Sequence, residues 1–327
     1  MKKNIFFCGP GQHTPDPMPE LPEVEIAARQ LRSWLAGRRI VAAQAARSRV
    51  IRGQAPQRFA GLAGHALLGI QRLGKWMLLE FDGGEGLVSH LGMTGKWVRR
   101  KRDEPKPAHV RASFELADGF AVDYRDPRLF GRLVRGKIED LRKLPTLRAL
   151  GPEPLEEIDL DRLHAQLLRT KRSLKEALMD QRTLAGLGNI YVSEALHRAK
   201  LDPQRPGTSL TREETERLAG AVRDALRAGL DSEDSSEPIT YVEEGGENFF
   251  LVYDRAGQPC STCGNPIRRI VQGGRSTYYC ATCQPAWRKR SARRKAAARR
   301  PVRPSAVRRP AARRLRASGK RLVRRPR

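Results

Sequence analysis

Long apolar runs are missing from these 327 residues. No stretch approaches the roughly 18 consecutive apolar residues of a membrane-spanning helix, so no membrane partner is expected. The apolar stretch at Asn4-Ile-Phe-Phe-Cys8 is shorter than the about 7–15 residues of an export-signal core, so the expected location is the cytoplasm. Cysteine is scarce: there are five, and four of them fall in two close pairs. That count does not suit a disulfide-dense secreted scaffold. Acidic residues are also few, 36 against 63 Lys and Arg, which leaves a net charge of +27. Such an excess points to a polyanionic partner, and nucleic acid is the foremost class.

The acid deficit is uneven. Residues 284–327 contain 19 Lys and Arg and no acid, so the remainder of the chain carries only +8. This segment repeats Arg pairs among Ala and Pro, as in Ala297-Ala-Arg-Arg-Pro-Val-Arg-Pro304, and has almost no large apolar residue. It is expected to be a disordered basic tail making nonspecific contact with phosphates through counterion release. The other reading is a solubilising tail.

The body of the chain is balanced for folding, since hydrophobic residues make up 39% of the whole and charged residues 30%. Its length suits about two domains. Residues 1–17, with three prolines and two glycines, read as unstructured. Pro22 opens an amphipathic helix with Val24, Ala28, Leu31 and Leu35 on one face and Gly37 as its stop. From about 38 to 137 short apolar runs alternate with Gly and Asp-Gly breaks: Trp76–Phe81, Gly86–His90, Val110–Phe114 and Phe120–Tyr124. Asp118-Gly119 predicts a hairpin between the last two, and the spacing predicts an antiparallel sandwich or barrel. After Pro152 and Pro154 the period turns helical. Leu160, Leu163, Leu167 and Leu168 share a face, Ile190, Glu194 and His197 mark another helix, and Thr211-Arg-Glu-Glu214 is a capping box opening a helix to about Leu230. Asp231 to Gly246 is acidic and rich in Ser and Gly, which predicts a surface loop.

Cys260-Ser-Thr-Cys263 and Cys280-Ala-Thr-Cys283 are two CxxC knuckles separated by 16 residues. Four thiolates at this spacing suit one tetrahedral Zn²⁺, and four protein ligands leave no open position, so the ion is expected to be structural. The other reading is two local disulfides or chance pairs, and disulfides suit a secreted chain, for which no export signal is present. Arg268–Tyr279 reads as a hairpin turning at Gly273-Gly274, with Arg275 near its tip. A guanidinium there could clamp a phosphate through two parallel hydrogen bonds. An exposed Arg on a basic protein is more often a solvated charge.

The most specific string is Met18-Pro-Glu-Leu-Pro-Glu-Val-Glu25. Together with Lys75, His90-Leu-Gly-Met-Thr-Gly95, Asp126-Pro-Arg-Leu-Phe-Gly131, Gly186-Leu-Gly-Asn-Ile-Tyr-Val-Ser-Glu194 and the cysteine knuckles, it resembles the formamidopyrimidine-DNA glycosylase family from about Met18 to Cys283. Leu21 favours that branch over the related endonuclease VIII branch, which typically opens Pro-Glu-Gly-Pro-Glu. The resemblance implies a multidomain α+β fold: an N-terminal helix and antiparallel β-sandwich, a helix–two-turn–helix domain, and a C-terminal β-hairpin zinc ribbon. The expected segments are an extension at 1–17 absent from the working protein, a catalytic domain at 19–137, a helical DNA-binding domain at 138–231, a lesion-recognition lid at 232–253, the ribbon at 254–283 and the tail at 284–327.

It also implies a bifunctional DNA glycosylase and AP lyase, acting as a monomer near the nucleoid on oxidised purines in damaged duplex DNA. By resemblance, the Pro19 amine attacks C1′ of the damaged nucleotide. A free α-amino group titrates near about 8 against about 10 for Lys, so a useful fraction is neutral at pH 7. A secondary amine gives a permanently cationic iminium, which acidifies the C2′ hydrogen and prepares strand cleavage. Glu20 is the implied acid for ring opening and base departure; without the resemblance it is an ordinary acidic residue at a helix start. Lys75 is the implied proton donor in β-elimination, where a snorkelling edge lysine is the plain alternative. Arg275 is implied for δ-elimination and the lesion's phosphate.

The nucleotide must leave the stack before C1′ can be reached. Met93, Arg128 and Phe130 match the family's intercalating trio; on pattern alone, Met93 and Phe130 would be sheet core. Asn189 at a helix start, Lys171 and His109 match further DNA-contact positions.

The chain departs from the family in three places. Residues 1–17 precede Met18, and while they remain attached the Pro19 nitrogen is an amide that cannot act as a nucleophile. Leu129 stands where relatives often carry a second basic residue. The lid contains Glu243-Glu-Gly-Gly-Glu247, unlike its relatives. Two alternatives remain open: an oxidised-pyrimidine glycosylase on the same fold, and a non-catalytic damaged-DNA or chromatin-binding protein if residues 1–17 are retained.

Overall fold

The computed structural model describes residues 18–233 and 249–288. The expectations for the 1–17 extension, most of the lid and the tail beyond 288 lie outside the described residues. Helix α1 (Leu21–Leu35) opens the fold, with Pro22 in its first turn and Gly37 just past its end. Eight strands follow: β1 (Ile40–Ala45), β2 (Leu67–Leu73), β3 (Trp76–Phe81), β4 (Glu85–His90), β5 (Lys96–Lys101), β6 (Val110–Leu116), β7 (Phe120–Arg125) and β8 (Arg132–Lys137). They form two four-stranded antiparallel sheets, ordered β1-β6-β7-β5 and β2-β3-β4-β8. Asp118-Gly119 makes the expected turn between β6 and β7. Gly119 takes a positive φ, and the Asp118 carboxylate accepts the Phe120 N–H.

The sandwich core is filled by apolar residues of both sheets, with Phe59, Phe81, Trp97 and Tyr124 grouped around Phe114 or one another. Within it lies a buried polar link. Arg100 Nε donates to Asp123 at 2.7 Å, and the Ser113 hydroxyl shares that carboxylate. Two buried charges are tolerated here because each meets its partner.

The helical part comprises α2 (Ile138–Leu141), α3 (Pro145–Arg148), α4 (Leu160–Leu168), α5 (Leu174–Leu178), α6 (Asn189–Arg198) and α7 (Arg212–Glu233). Thr211 and Glu214 exchange the two hydrogen bonds of the capping box at the start of α7. Leu163 and Leu167 enter the helical core, whereas Leu168 is 39% exposed. At about 100° per residue, Leu168 is turned away from the face that Leu167 occupies. No described helix is long and apolar enough to cross a membrane.

Helix α1 joins the two cores. Its first residue, Leu21, packs into the helical core, while Val24, Ala28, Leu31 and Leu35 pack into the sandwich. The chain entering α1 is therefore held at the junction. The last strands, β9 (Arg268–Gln272) and β10 (Arg275–Tyr279), pair as the expected hairpin with its turn at Gly273-Gly274. The folded body continues past Cys283, which corrects the expectation of a tail from residue 284. Gln284 is 1% exposed; its amide accepts from Cys280 N and donates to Leu201 O, and Trp287 N donates to Asp202. A buried amide with both ends bonded belongs to the core.

Candidate functional site

Pro19 is buried at the entrance to α1. Glu20, 2% exposed, extends its side chain from the N-cap of α1 to the start of α6. Its carboxylate accepts from Gly188 N at 2.7 Å, Ile190 N at 2.9 Å and Tyr191 N at 3.3 Å. The first turn of a helix leaves N–H groups without intrahelical partners and carries partial positive charge, so it suits a carboxylate. A side chain at Gly188 would run into both the Glu20 carboxylate and Lys75 Nζ. The glycine is what lets these two groups close over the loop.

Lys75 follows Gly74 in the β2–β3 turn and is 8% exposed. Burial lowers its pKa, the carboxylates of Glu20 and Glu23 oppose this, and the Arg275 charge adds to the lowering. The turn is held from the interdomain segment. Glu153 accepts Gly74 N at 2.5 Å and also pairs with Arg72, which binds Glu25 of α1 as well. Beside the turn the Trp76 and His90 rings lie 4.5 Å apart. Burial, with Lys75 and Arg132 nearby, pushes the His90 pKa down to about 3, so its imidazole is neutral.

Two buried ionisable groups at the site escaped the sequence reading. Glu23 accepts from Glu20 N at 2.8 Å and from the Tyr191 hydroxyl at 2.9 Å. Burial, then the neighbouring Glu20 charge, raises its pKa to about 7. Lys175 donates to Ser276 O at 2.8 Å, and burial lowers its pKa to about 7. Glu23 stands in the first turn of α1, where an acidic residue is ordinary and signals nothing more. Lys175 sits between Leu174 and Ala177 on the buried side of α5, a position that α5's apolar pattern could have flagged.

A cavity of about 620 Å³ lies among these groups, with Pro19, Glu23 and Lys175 outside its lining. Glu20, Lys75, Met93, Asn189 and Arg275 all line it, as does Met18. They come from the start of α1, the sandwich, α6 and the ribbon hairpin. The Tyr253 hydroxyl meets the Asn189 side chain. Arg128, Phe130, His109 and Lys171 lie outside the lining and are exposed.

Phe130 is 49% exposed with the Arg128 guanidinium 5.1 Å from its ring centroid, and Met93 is half-buried; neither Met93 nor Phe130 is sheet core. One buried carboxylate ties the two loops that present this trio. Asp126 accepts from the Thr94 hydroxyl at 2.7 Å, Leu129 N at 3.1 Å and Gly131 N at 2.7 Å. These bonds hold Leu129 at a positive φ, uncommon for a leucine. His109 also has positive φ, and its carbonyl accepts Asp126 N.

The sulfurs of Cys260, Cys263, Cys280 and Cys283 lie within 4.8 Å of one another, and none is in a disulfide. Cys263–Cys280 measures 3.4 Å and Cys260–Cys283 3.9 Å. Four sulfurs about 2.3 Å from a tetrahedral zinc stand about 3.8 Å apart, so the cluster fits the ion. These four thiolates hold a structural zinc, which ties the knuckles to the hairpin carrying Arg275.

Three family models match consecutive parts of the chain. They are the formamidopyrimidine-DNA glycosylase N-terminal domain over residues 18–133, its H2TH domain over 150–239, and the zinc finger found in FPG and IleRS over 257–286. A formamidopyrimidine-DNA glycosylase of Thermus thermophilus is 42% identical over 275 residues, 82% of this chain and 98% of the relative. The crystal structure of the Thermus thermophilus MutM (Fpg) protein superposes with a TM-score of 0.70 at 39% identity, covering 81% of this chain and 98% of that one. The Lactococcus lactis Fpg in complex with FAPY-dG-containing DNA superposes with a TM-score of 0.74 at 30% identity, covering 82% and 100%.

Proposed function

The chain belongs to the formamidopyrimidine-DNA glycosylase family, base-excision-repair enzymes with AP lyase activity, and from that premise we propose how its own residues remove oxidised purines from duplex DNA. The observation that carries the assignment of residues is the shared cavity. Glu20, Lys75 and Arg275, separated widely in sequence, converge on a space that could take one extruded nucleotide. The oxidised-pyrimidine reading is not favoured, since the solved relative holds FAPY-dG DNA.

The working form begins at Pro19. Its free secondary amine attacks C1′ of the extruded nucleotide as Glu20 protonates the sugar ring oxygen and assists departure of the base. Protonation of O4′ opens the C1′–O4′ bond, the base leaves C1′ and takes up the proton shed by the proline nitrogen, and a cationic iminium joins Pro19 to C1′. The iminium draws electron density from C2′, a proton leaves C2′, and the 3′ phosphate departs. Lys75, buried beside Glu20, supplies and receives protons in this β-elimination. Arg275 grips the lesion's phosphate and serves the δ-elimination that releases the 5′ phosphate. Met93 and Phe130 fill the vacated stack and the Arg128 guanidinium faces the orphaned base. Asn189, at the start of α6, Lys171 and His109 hold backbone phosphates. The protein works as a cytoplasmic monomer, and the basic segment beyond residue 288 keeps it on DNA without choosing a site.

Borohydride trapping tests the reading. Protein starting at Pro19 is expected to form a covalent adduct with a duplex carrying one 8-oxoguanine, and protein retaining Met1 is expected to form none. Absence of the adduct from the Pro19 form, or its formation by the Met1 form, would refute the Pro19 mechanism.

A further inference from the structure

The loop before α6 is held by one amide side chain, that of Gln181, which itself lines the cavity. Gln181 Nε2 donates to Leu187 O at 2.7 Å and to Met179 O at 3.2 Å, and its Oε1 accepts Gly186 N at 2.9 Å. Both ends of the amide are thereby used, and its orientation is determined. The consequence lies in the Leu187–Gly188 peptide. A trans peptide is planar, with its C=O and N–H pointing in opposite directions. Gln181 captures the carbonyl of this unit, so the N–H must face the other way, where it meets Glu20 at 2.7 Å. Gly186 is fixed in the same manner: Gln181 takes its N–H, while its carbonyl accepts Leu21 N from α1. A glycine-rich loop has little intrinsic preference for one peptide orientation. Turned over, the same peptide would present a carbonyl oxygen to the Glu20 carboxylate.

We propose that Gln181 is a positioning residue for base removal: by holding the Leu187–Gly188 peptide it aims the N–H that orients the Glu20 carboxylate. The proposal rests on the reading of Glu20 as the group that drives base departure. It concerns the step before the abasic sugar forms. A preformed abasic sugar opens its own hemiacetal in water and needs no help with a leaving base, so β-elimination on that substrate should not need the alignment.

Gln181→Glu is the sharpest variant because it keeps the shape and replaces only the nitrogen that donates to Leu187 O and Met179 O. An ionised carboxylate still accepts Gly186 N but repels Leu187 O and Met179 O; a protonated carboxyl, with its one hydrogen, can donate to Leu187 O again. The zinc-loaded protein from Pro19 to Arg327 would be compared with Gln181→Glu, Glu20→Gln and the double variant. The readouts are single-turnover removal of 8-oxoguanine, β-elimination on a preformed abasic site, and affinity for an uncleavable abasic analogue. Gln181→Glu is expected to slow base removal on the order of 10²-fold near pH 8, the scale of a misplaced catalytic group. The deficit relative to wild type should shrink toward pH 5.5, while elimination and affinity stay within about threefold. In the Glu20→Gln background the substitution should add nothing. Equal losses in base removal and elimination would mark a general folding defect and overturn the proposal. So would weakened binding with base removal intact, which would make Gln181 a DNA contact, or a pH-independent deficit. If Glu20→Gln alone retains base removal, the reading of Glu20 has failed as well.

Discussion

Glu23 offers a thermodynamic test of the site in the absence of DNA. Its pKa is raised from 4.5 to about 7 by burial and by the charge of Glu20. The raised value means that the folded state holds the Glu23 proton more tightly than the unfolded state. Between about pH 4.5 and about pH 7 the folded protein binds more protons, so stability falls as pH rises through this window, and the whole penalty is present above it. Each tenfold in proton affinity is worth about 1.4 kcal/mol. From pH 5 to pH 8 the loss attributable to Glu23 is therefore about 2–3 kcal/mol. Glu23→Gln removes the titration and keeps the contacts: the amide oxygen can accept Glu20 N, and the amide nitrogen can donate to the Tyr191 hydroxyl, which rotates to accept. Urea unfolding of both proteins at several pH values gives the test as a difference between them. Gln should gain on Glu by about 2–3 kcal/mol across the window. A difference that stays flat, or one that grows as pH falls, would refute the reasoning about Glu23.

Other perturbations have equally definite outcomes. Gly188→Ala would drive a methyl group into the Glu20 carboxylate and Lys75 Nζ; single-turnover base removal should fall on the order of 10²-fold. Asp126→Ala leaves Thr94, Leu129 N and Gly131 N without their acceptor, at about 1–3 kcal/mol for each buried donor left unsatisfied. Fluorescence of a 2-aminopurine beside the lesion should then lose the unstacking signal of wedge insertion, and an unchanged signal would separate Asp126 from the wedge. Removing zinc with a chelator should disperse the small core of Val252, Cys260, Ile267, Tyr278 and Cys280 and release the hairpin that carries Arg275. Trapping should fall in step with the zinc released, as followed by a colorimetric indicator. Truncation after Arg288 should flatten the salt dependence of nonspecific DNA binding and leave single-turnover base removal nearly intact; an unchanged slope would take the tail off DNA.

Much of the architecture was legible because its signals are local. The Thr211–Glu214 capping box, the Asp118-Gly119 turn and the Gly273-Gly274 hairpin each lie within a few residues, and the structure has all three. The tail boundary was misread because composition changes near residue 284 while packing does not. Gln284 looks like the first polar residue of a basic segment, yet it bonds to groups on either side of the ribbon junction. Leu168 is misplaced by pattern alone because it stands about 100° round the helix from Leu167, past the edge of the buried face.

The amino-acid sequence by itself determined which chemical groups are available: a proline followed by a carboxylate, a lysine at a glycine turn, an arginine on a hairpin, and four cysteines at zinc spacing. It determined also the helices and strands on which they ride, since those depend on period and caps. Only the tertiary structure decided what these groups become. Glu20 meets α6 across a separation of 168 residues in the case of Gly188, and Lys175 meets Ser276 across 101. Such contacts set desolvation, and desolvation gives Glu23 and Lys175 their altered proton affinities. The reason is physical: a residue's type and near neighbours encode its backbone preference, whereas its dielectric surroundings and hydrogen-bond partners are supplied by segments that become neighbours only when the chain has packed.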